Sequence, residues 1–160
     1  MGFTLEIADR QRTGHSAFLR KQMLAIHAML QSRLDELSIA LVGNADSARL
    51  HMEFMQLPGP ADVLTFELEY DPRQRVTAGE IVICVPIARR SARANRVPLR
   101  HELLLYCLHG VLHLAGYDDR TKRGFNRMHR REDDILESLG LGKVFYPPSV
   151  SRRRAKGFHP

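Results

Sequence analysis

Two histidines four residues apart stand inside an apolar run. From Cys107 to Asp119 the chain reads Cys-Leu-His-Gly-Val-Leu-His-Leu-Ala-Gly-Tyr-Asp-Asp, with His109 and His113 as the pair. On a helix of 3.6 residues per turn their imidazoles leave the same face about one turn apart. Two adjacent imidazole nitrogens are half of a zinc site. Gly116 follows where a glycine ends a helix in a left-handed cap and turns the chain back toward the face it has left. Asp118 or Asp119 is then in position to return a carboxylate to the same metal.

Zinc peptidases carry a similar His-x-x-x-His helix but place a glutamate directly after the first histidine as general base. That position is Gly110 here, which argues against peptidase chemistry. Residues 109–118 resemble instead the YbeY family of bacterial rRNA-maturation endoribonucleases, whose signature is His-Gly-x-Leu-His-Leu-x-Gly-Tyr-Asp-His. Asp119 falls where that family has its third histidine. Two further blocks are similar: Pro60-Ala-Asp62-Val-Leu64-Thr-Phe66 resembles the family's Pro-Thr-Asp-Val-Leu-Ser-Phe, and Gly79-Glu80-Ile81 resembles its Gly-Asp-Ile. The resemblance spans roughly residues 37 to 136.

It implies a small, mixed, four-stranded sheet packed against the helix that bears the metal ligands. It also implies one Zn2+ held by His109, His113 and Asp119, and a metal-activated water that hydrolyses a phosphodiester in single-stranded RNA. The implied role is rRNA maturation at the 16S 3′ end and ribosome quality control, with rRNA and ribosomal particles as partners. Two departures bear on this. Asp119 replaces an imidazole with a carboxylate, which zinc accepts while keeping a fourth position for water; the anionic ligand makes the metal less acidifying and harder metals more competitive. Asp118 matches a non-ligand position, from which it could accept from a histidine N–H. The family's catalytic arginine, counted back from Pro60, is Met55 here, and methionine cannot donate to a phosphate oxygen. Nothing in the chain identifies a general acid. Two alternatives follow: an RNA-binding ribosome-assembly factor with the metal but without turnover, and a metal-dependent hydrolase of another substrate.

The elements that must position these residues are legible in the periodicity. Phe3, Leu5 and Ile7 alternate as in a strand, and apolar residues at three and four predict a helix over 16–37. Residues 37–42 predict a strand, followed by a helix capped by Asn44 or Asp46 that runs to Met55. Strands are expected over 62–68 and 79–85, with a mobile loop over 69–78 between them. Pro86 opens a helix, and five arginines lie between 89 and 100, read either as a solvated face or as a phosphate-binding wall near the metal. Pro98 opens the histidine helix, whose core stripe is Leu104, Leu108, Val111 and Ala115, on a face distinct from the metal's. A last helix runs from about 122 to 139 and stops at Gly140. His101 and His129 read as surface residues, and His51 as a candidate for the cleft wall. The order of elements gives a single α+β domain over 1–150.

Composition agrees. The chain of 160 residues has 24 Lys+Arg against 18 Asp+Glu, a net +6, and Arg152, Arg153, Arg154 and Lys156 in the final ten residues supply four of those charges. Residues 151–160 are expected to be a disordered basic tail, with RNA contact by it a weaker reading. Cys84 and Cys107 sit in apolar segments outside any Cys-x-x-Cys pair and read as buried reduced thiols. No run approaches a membrane span, so no membrane partner and a cytoplasmic location are expected.

Overall fold

The computed structural model of the chain describes residues 2–142. The predicted tail over 151–160 and the end of the predicted domain lie outside the described residues. In order the elements are β1 (Thr4–Asp9), α1 (Ser16–Met29), β2 (Glu36–Val42), α2 (Asn44–Met55), β3 (Val63–Tyr70), β4 (Val76–Cys84), α3 (Val85–Asn95), α4 (Leu99–Leu114) and α5 (Lys122–Ser138). The strands form one mixed sheet in the order β1-β2-β4-β3, parallel except for the β3–β4 pair. This is the expected α+β domain with a four-stranded mixed sheet.

Side-chain alternation along the strands separates two apolar layers. Ile39, Leu41, Val63, Ile81 and Ile83 face the main core with α1, α4 and α5. Ala40, Val42, Leu64, Phe66 and Val82 face the other way, where Leu50 and Met55 of α2 cover them. The sheet therefore stands between Met55 and the histidine helix.

α4 is the central element. Every residue from His101 to Leu114 is buried, so the stripe read from the sequence is too narrow, and no face of the helix is free of the core. The reason is that α1, α3 and α5 pack around α4 while the sheet lies beneath it. Leu103, Leu104, Leu105, Leu108 and Leu112 are all at most 1 % exposed, and each contributes roughly 1.5–3 kcal/mol by burial. The two histidines thus ride on the most firmly anchored helix. Helix and sheet meet at Gly110, where a Cβ would stand 2.8 Å from Ile81 Cδ1 and 3.1 Å from Thr65 Oγ1. The position that holds a peptidase's glutamate faces the sheet here and has no room for one.

Three boundaries differ from the periodicity reading. α1 stops at Met29 because Leu30 turns extended, and Leu30 and Leu34 keep their burial in the connection to β2. α2 starts at Asn44 after Gly43, without a side-chain cap. The expected mobile loop is a hairpin, with strand to Tyr70 and again from Val76. Asp71 organises its tip: its carboxylate accepts from the Arg73 and Arg75 N–H groups, and Arg75 Nε donates to it at 2.8 Å. Polar residues suffice there, since the ladder needs only backbone groups. Both cysteines are buried free thiols, and burial pushes both pKa values up. No helix among the described residues is long and apolar enough to cross a membrane.

Candidate metal centre

The end of α4 is a Schellman turn. Gly116, at φ 102°, donates its N–H to His113 O, and Tyr117 N–H reaches back to Leu112 O at 3.0 Å. This is the glycine stop that the sequence predicts. The turn brings the Tyr117 carbonyl under the last histidine, and His113 Nδ1 donates to it at 3.1 Å. A carbonyl oxygen can only accept, so the His113 proton sits on Nδ1 and the Nε2 lone pair points outward. His109 Nδ1 donates in the same way to Glu132 Oε2, at 3.2 Å. The two Nε2 atoms then face each other 3.1 Å apart, with the rings nearly perpendicular at 81°. With each Nδ1 proton committed elsewhere, a cation placed between the two nitrogens, a proton or a metal ion, would satisfy both.

Asp119 supplies the third donor. Its Oδ2 lies 3.8 Å from His109 Nε2 and 3.7 Å from His113 Nε2. With the 3.1 Å separation of the nitrogens, the point equidistant from the three atoms is about 2.1 Å from each, within the zinc–nitrogen and zinc–oxygen range of about 2.0–2.2 Å. The three residues form the metal-capable group expected from the motif. Both histidines are buried, while the Asp119 side chain is 24 % exposed, so the cluster opens to solvent on the aspartate side.

The segment carrying Asp119 is fixed from both ends. Asp118 is gripped by the Arg120 guanidinium, with Nη2 at 2.7 Å and Nε at 2.9 Å, leaving Asp119 to point at the histidines. Thr121 caps α5 by accepting from Gly124 N–H at 3.0 Å. A Cβ at Gly124 would collide with the Asp118 carbonyl oxygen, so this loop and α5 approach as closely as they do only because residue 124 is glycine.

The carboxylate that orients a histidine is Glu132 rather than Asp118. Glu132 is 0 % exposed and also stands 3.3 Å from His129 Nδ1. Sequence reasoning missed it, although a signal exists: with Met128, Ile135 and Leu136 it forms the buried stripe of α5, and a lone acid on an apolar stripe requires a partner. His129 is accordingly no plain surface residue. Nor is His101, which is 6 % exposed beside Phe18 and whose burial lowers its pKa to about 4. His51 donates from Nδ1 to Gly59 O at 2.9 Å, closing the loop after α2. Met55 lies across the sheet from the donors. The arginines of α3 belong with the opposite half of α4, where Ser91 donates to Glu102 Oε2 at 2.6 Å.

Two clefts flank the end of α4. One, of about 230 Å³, reaches His113 and is lined by Arg33, Tyr70 and Arg75. The other, of about 340 Å³, is lined by Tyr117, Arg127 and Arg131, and the two share Gln31 and Ala115.

The family Endoribonuclease YbeY matches residues 6–140. Among curated relatives, an Endoribonuclease YbeY of Rhodococcus opacus is 36 % identical over 137 residues, covering 74 % of this chain and 76 % of the relative. One of Mycobacterium tuberculosis is 41 % identical over 118 residues, covering 68 % and 67 %. A solution structure from Thermotoga maritima shares the fold, with a TM-score of 0.59 at 24 % identity over 93 % of this chain and all of that one. Because the family model matches residues 6–140 and these relatives are 36 % and 41 % identical over about two thirds or more of both chains, the chain belongs to the YbeY family of endoribonucleases.

Proposed function

We propose that this chain is a zinc-dependent endoribonuclease that hydrolyses a phosphodiester in single-stranded ribosomal RNA, at the 3′ end of 16S rRNA, in ribosome maturation and quality control. One observation carries the reading: two imidazole lone pairs and one carboxylate oxygen converge on a single point, with both ring orientations locked from behind. His109, His113 and Asp119 would hold the ion. Zinc held by these three residues would supply Lewis-acid polarisation of a phosphoryl oxygen and would lower the pKa of water.

The chain's own residues do the rest. Glu132 holds the proton at His109 Nδ1 and raises the basicity of Nε2, and Tyr117 O does the same for His113. Glu132 and Asp119 place two negative charges against one dication, and the C-terminus of α4 adds the negative end of its dipole. Met55 offers no donor to the substrate, so charge stabilisation at the phosphate falls to groups on the α4–α5 side of the sheet.

Metal analysis of protein purified without chelator, followed by cleavage assays on single-stranded and duplex rRNA fragments, tests this. Stoichiometric zinc, cleavage confined to the single strand, and loss of both metal and cleavage in His113→Ala are expected. Zinc-loaded protein that binds the fragment without cutting it would favour a non-catalytic assembly factor, the reading that Met55 in the arginine's place supports.

A further inference from the structure

We propose that Arg127 and Arg131 of α5, with Tyr117 behind Arg127, form a phosphate-binding track that leads a single-stranded RNA chain to the metal donors. The inference rests on the endoribonuclease reading and assigns its strand-binding residues. Three arginines among the described residues are paired with carboxylates, Arg49 with Asp46 and Glu53, Arg75 with Asp71, and Arg120 with Asp118; what sets Arg127 and Arg131 apart from the remaining arginines is their place beside the metal-binding turn and the contacts that hold them there. Among the described residues, Arg127 and Arg131 have no such partner within 4.0 Å.

They are nonetheless held in place. The Arg127 guanidinium lies 5.1 Å from the centre of the Tyr117 ring, a contact that fixes its position without satisfying its donors. Arg131 Nη2 donates to Met29 O at 3.2 Å, which leaves its other N–H groups for a ligand. Four residues apart on one helix, the two guanidiniums stand one turn from each other on the same face. Both line the second cleft, which shares Gln31 and Ala115 with the first, and His113 is among the residues that line the first. Exposed Arg33 lines that first cleft, again without a carboxylate partner among the described residues, while Glu67 there is engaged by the Tyr70 hydroxyl at 2.8 Å.

A ligand that follows this path meets cationic side chains at intervals and ends beside His113, next to the turn that carries Asp119. A phosphodiester chain has that spacing of charge. Guanidinium takes a phosphate through two parallel N–H bonds, and neutral or cationic ligands gain nothing from the track. Tyr117 joins the two functions, since its carbonyl orients His113 while its ring supports Arg127.

The test uses the zinc-loaded full chain. Binding of a fluorescent single-stranded DNA 12-mer, which carries the same backbone charge, is followed by anisotropy between 50 and 300 mM salt, and cleavage of an RNA fragment gives kcat and KM. Each phosphate contact contributes about 0.7 to the slope of log affinity against log salt. Arg127→Ala is expected to lower the slope by about 0.7, and Arg127→Ala with Arg131→Ala by about 1.4. KM should rise about three- to tenfold in Arg127→Ala with kcat within twofold. Tyr117→Phe should retain the wild-type slope and Tyr117→Leu should behave as Arg127→Ala. Arg49→Ala, on the far face of the sheet, should change nothing. An unchanged slope in the double variant, from a wild-type protein that binds and cuts RNA, overturns the track and leaves the endoribonuclease reading intact. A zinc-loaded wild-type protein that neither binds nor cuts overturns both.

Discussion

Replacing Glu132 by glutamine separates metal binding from folding. The carboxylate is wholly buried, 3.2 Å from His109 Nδ1 and 3.3 Å from His129 Nδ1. Glutamine keeps the size and one acceptor for His109, while its amide can donate to His129, whose ring is able to switch tautomer. The charge behind the ligand is what disappears. Loss of such an outer partner weakens metal binding about 10–100-fold, or about 1.4–2.7 kcal/mol. Metal stabilises the fold by mass action, so the zinc-induced rise in Tm should shrink by the same free energy. At about 2–4 °C per kcal/mol for a domain of this size, the loss is about 3–11 °C. Without metal the sign differs, because glutamine also removes a buried charge, and the Tm of the metal-free variant should stay within about 3 °C of wild type. Competition titration with a chromogenic chelator and calorimetry with and without zinc read both quantities. Unchanged zinc affinity in Glu132→Gln would refute the role assigned to this carboxylate.

Other outcomes follow from the same geometry. Gly124→Ala should push the Asp118 carbonyl away and swing Asp119 off the histidine pair, weakening zinc binding although no donor is altered; the chelator titration checks it. Gly110→Ala should destabilise the fold by about 1–3 kcal/mol in urea unfolding, since Ile81 Cδ1 lies 2.8 Å from the new methyl and Thr65 Oγ1 3.1 Å. His101 has a folded pKa near 4 against about 6.5 unfolded, so the unfolded chain binds the extra proton first as pH falls. Its neutral, buried state is without penalty above pH 6.5 or so, and stability should drop from there toward pH 4 by about 2 kcal/mol at pH 5. His101→Phe should flatten that stretch of the urea midpoint against pH.

Most of the site could be read before folding. His109, His113 and Gly116 obey local geometry, the helical period and the left-handed stop, and local rules survive packing. Asp119 over Asp118 was resolved in the sequence by resemblance, and in the fold by Arg120, which takes Asp118 for itself. Glu132 lies 23 residues beyond His109, and only the docking of α5 on α4 joins them. The α1 boundary failed for another reason. Leu30 and Leu34 carry on the helical spacing because the core needs their side chains, yet their backbone has already turned toward β2. Hydrophobic spacing records what must be buried and is silent about the backbone that delivers it. The tract over 69–78 shows the converse: its polar tip at 71–75 reads as loop, yet the ladder runs up to Tyr70 and resumes at Val76, whose side chain joins the core.

The residue whose N–H closes the last turn of α4, Tyr117, also supplies the carbonyl that sets the tilt of the His113 ring. Unwinding of that last turn therefore removes a ligand without any change of residue, and the exchange rate of the Tyr117 amide hydrogen becomes a clock for the integrity of the centre. Order at one helix end and competence for chemistry rise and fall as a single event.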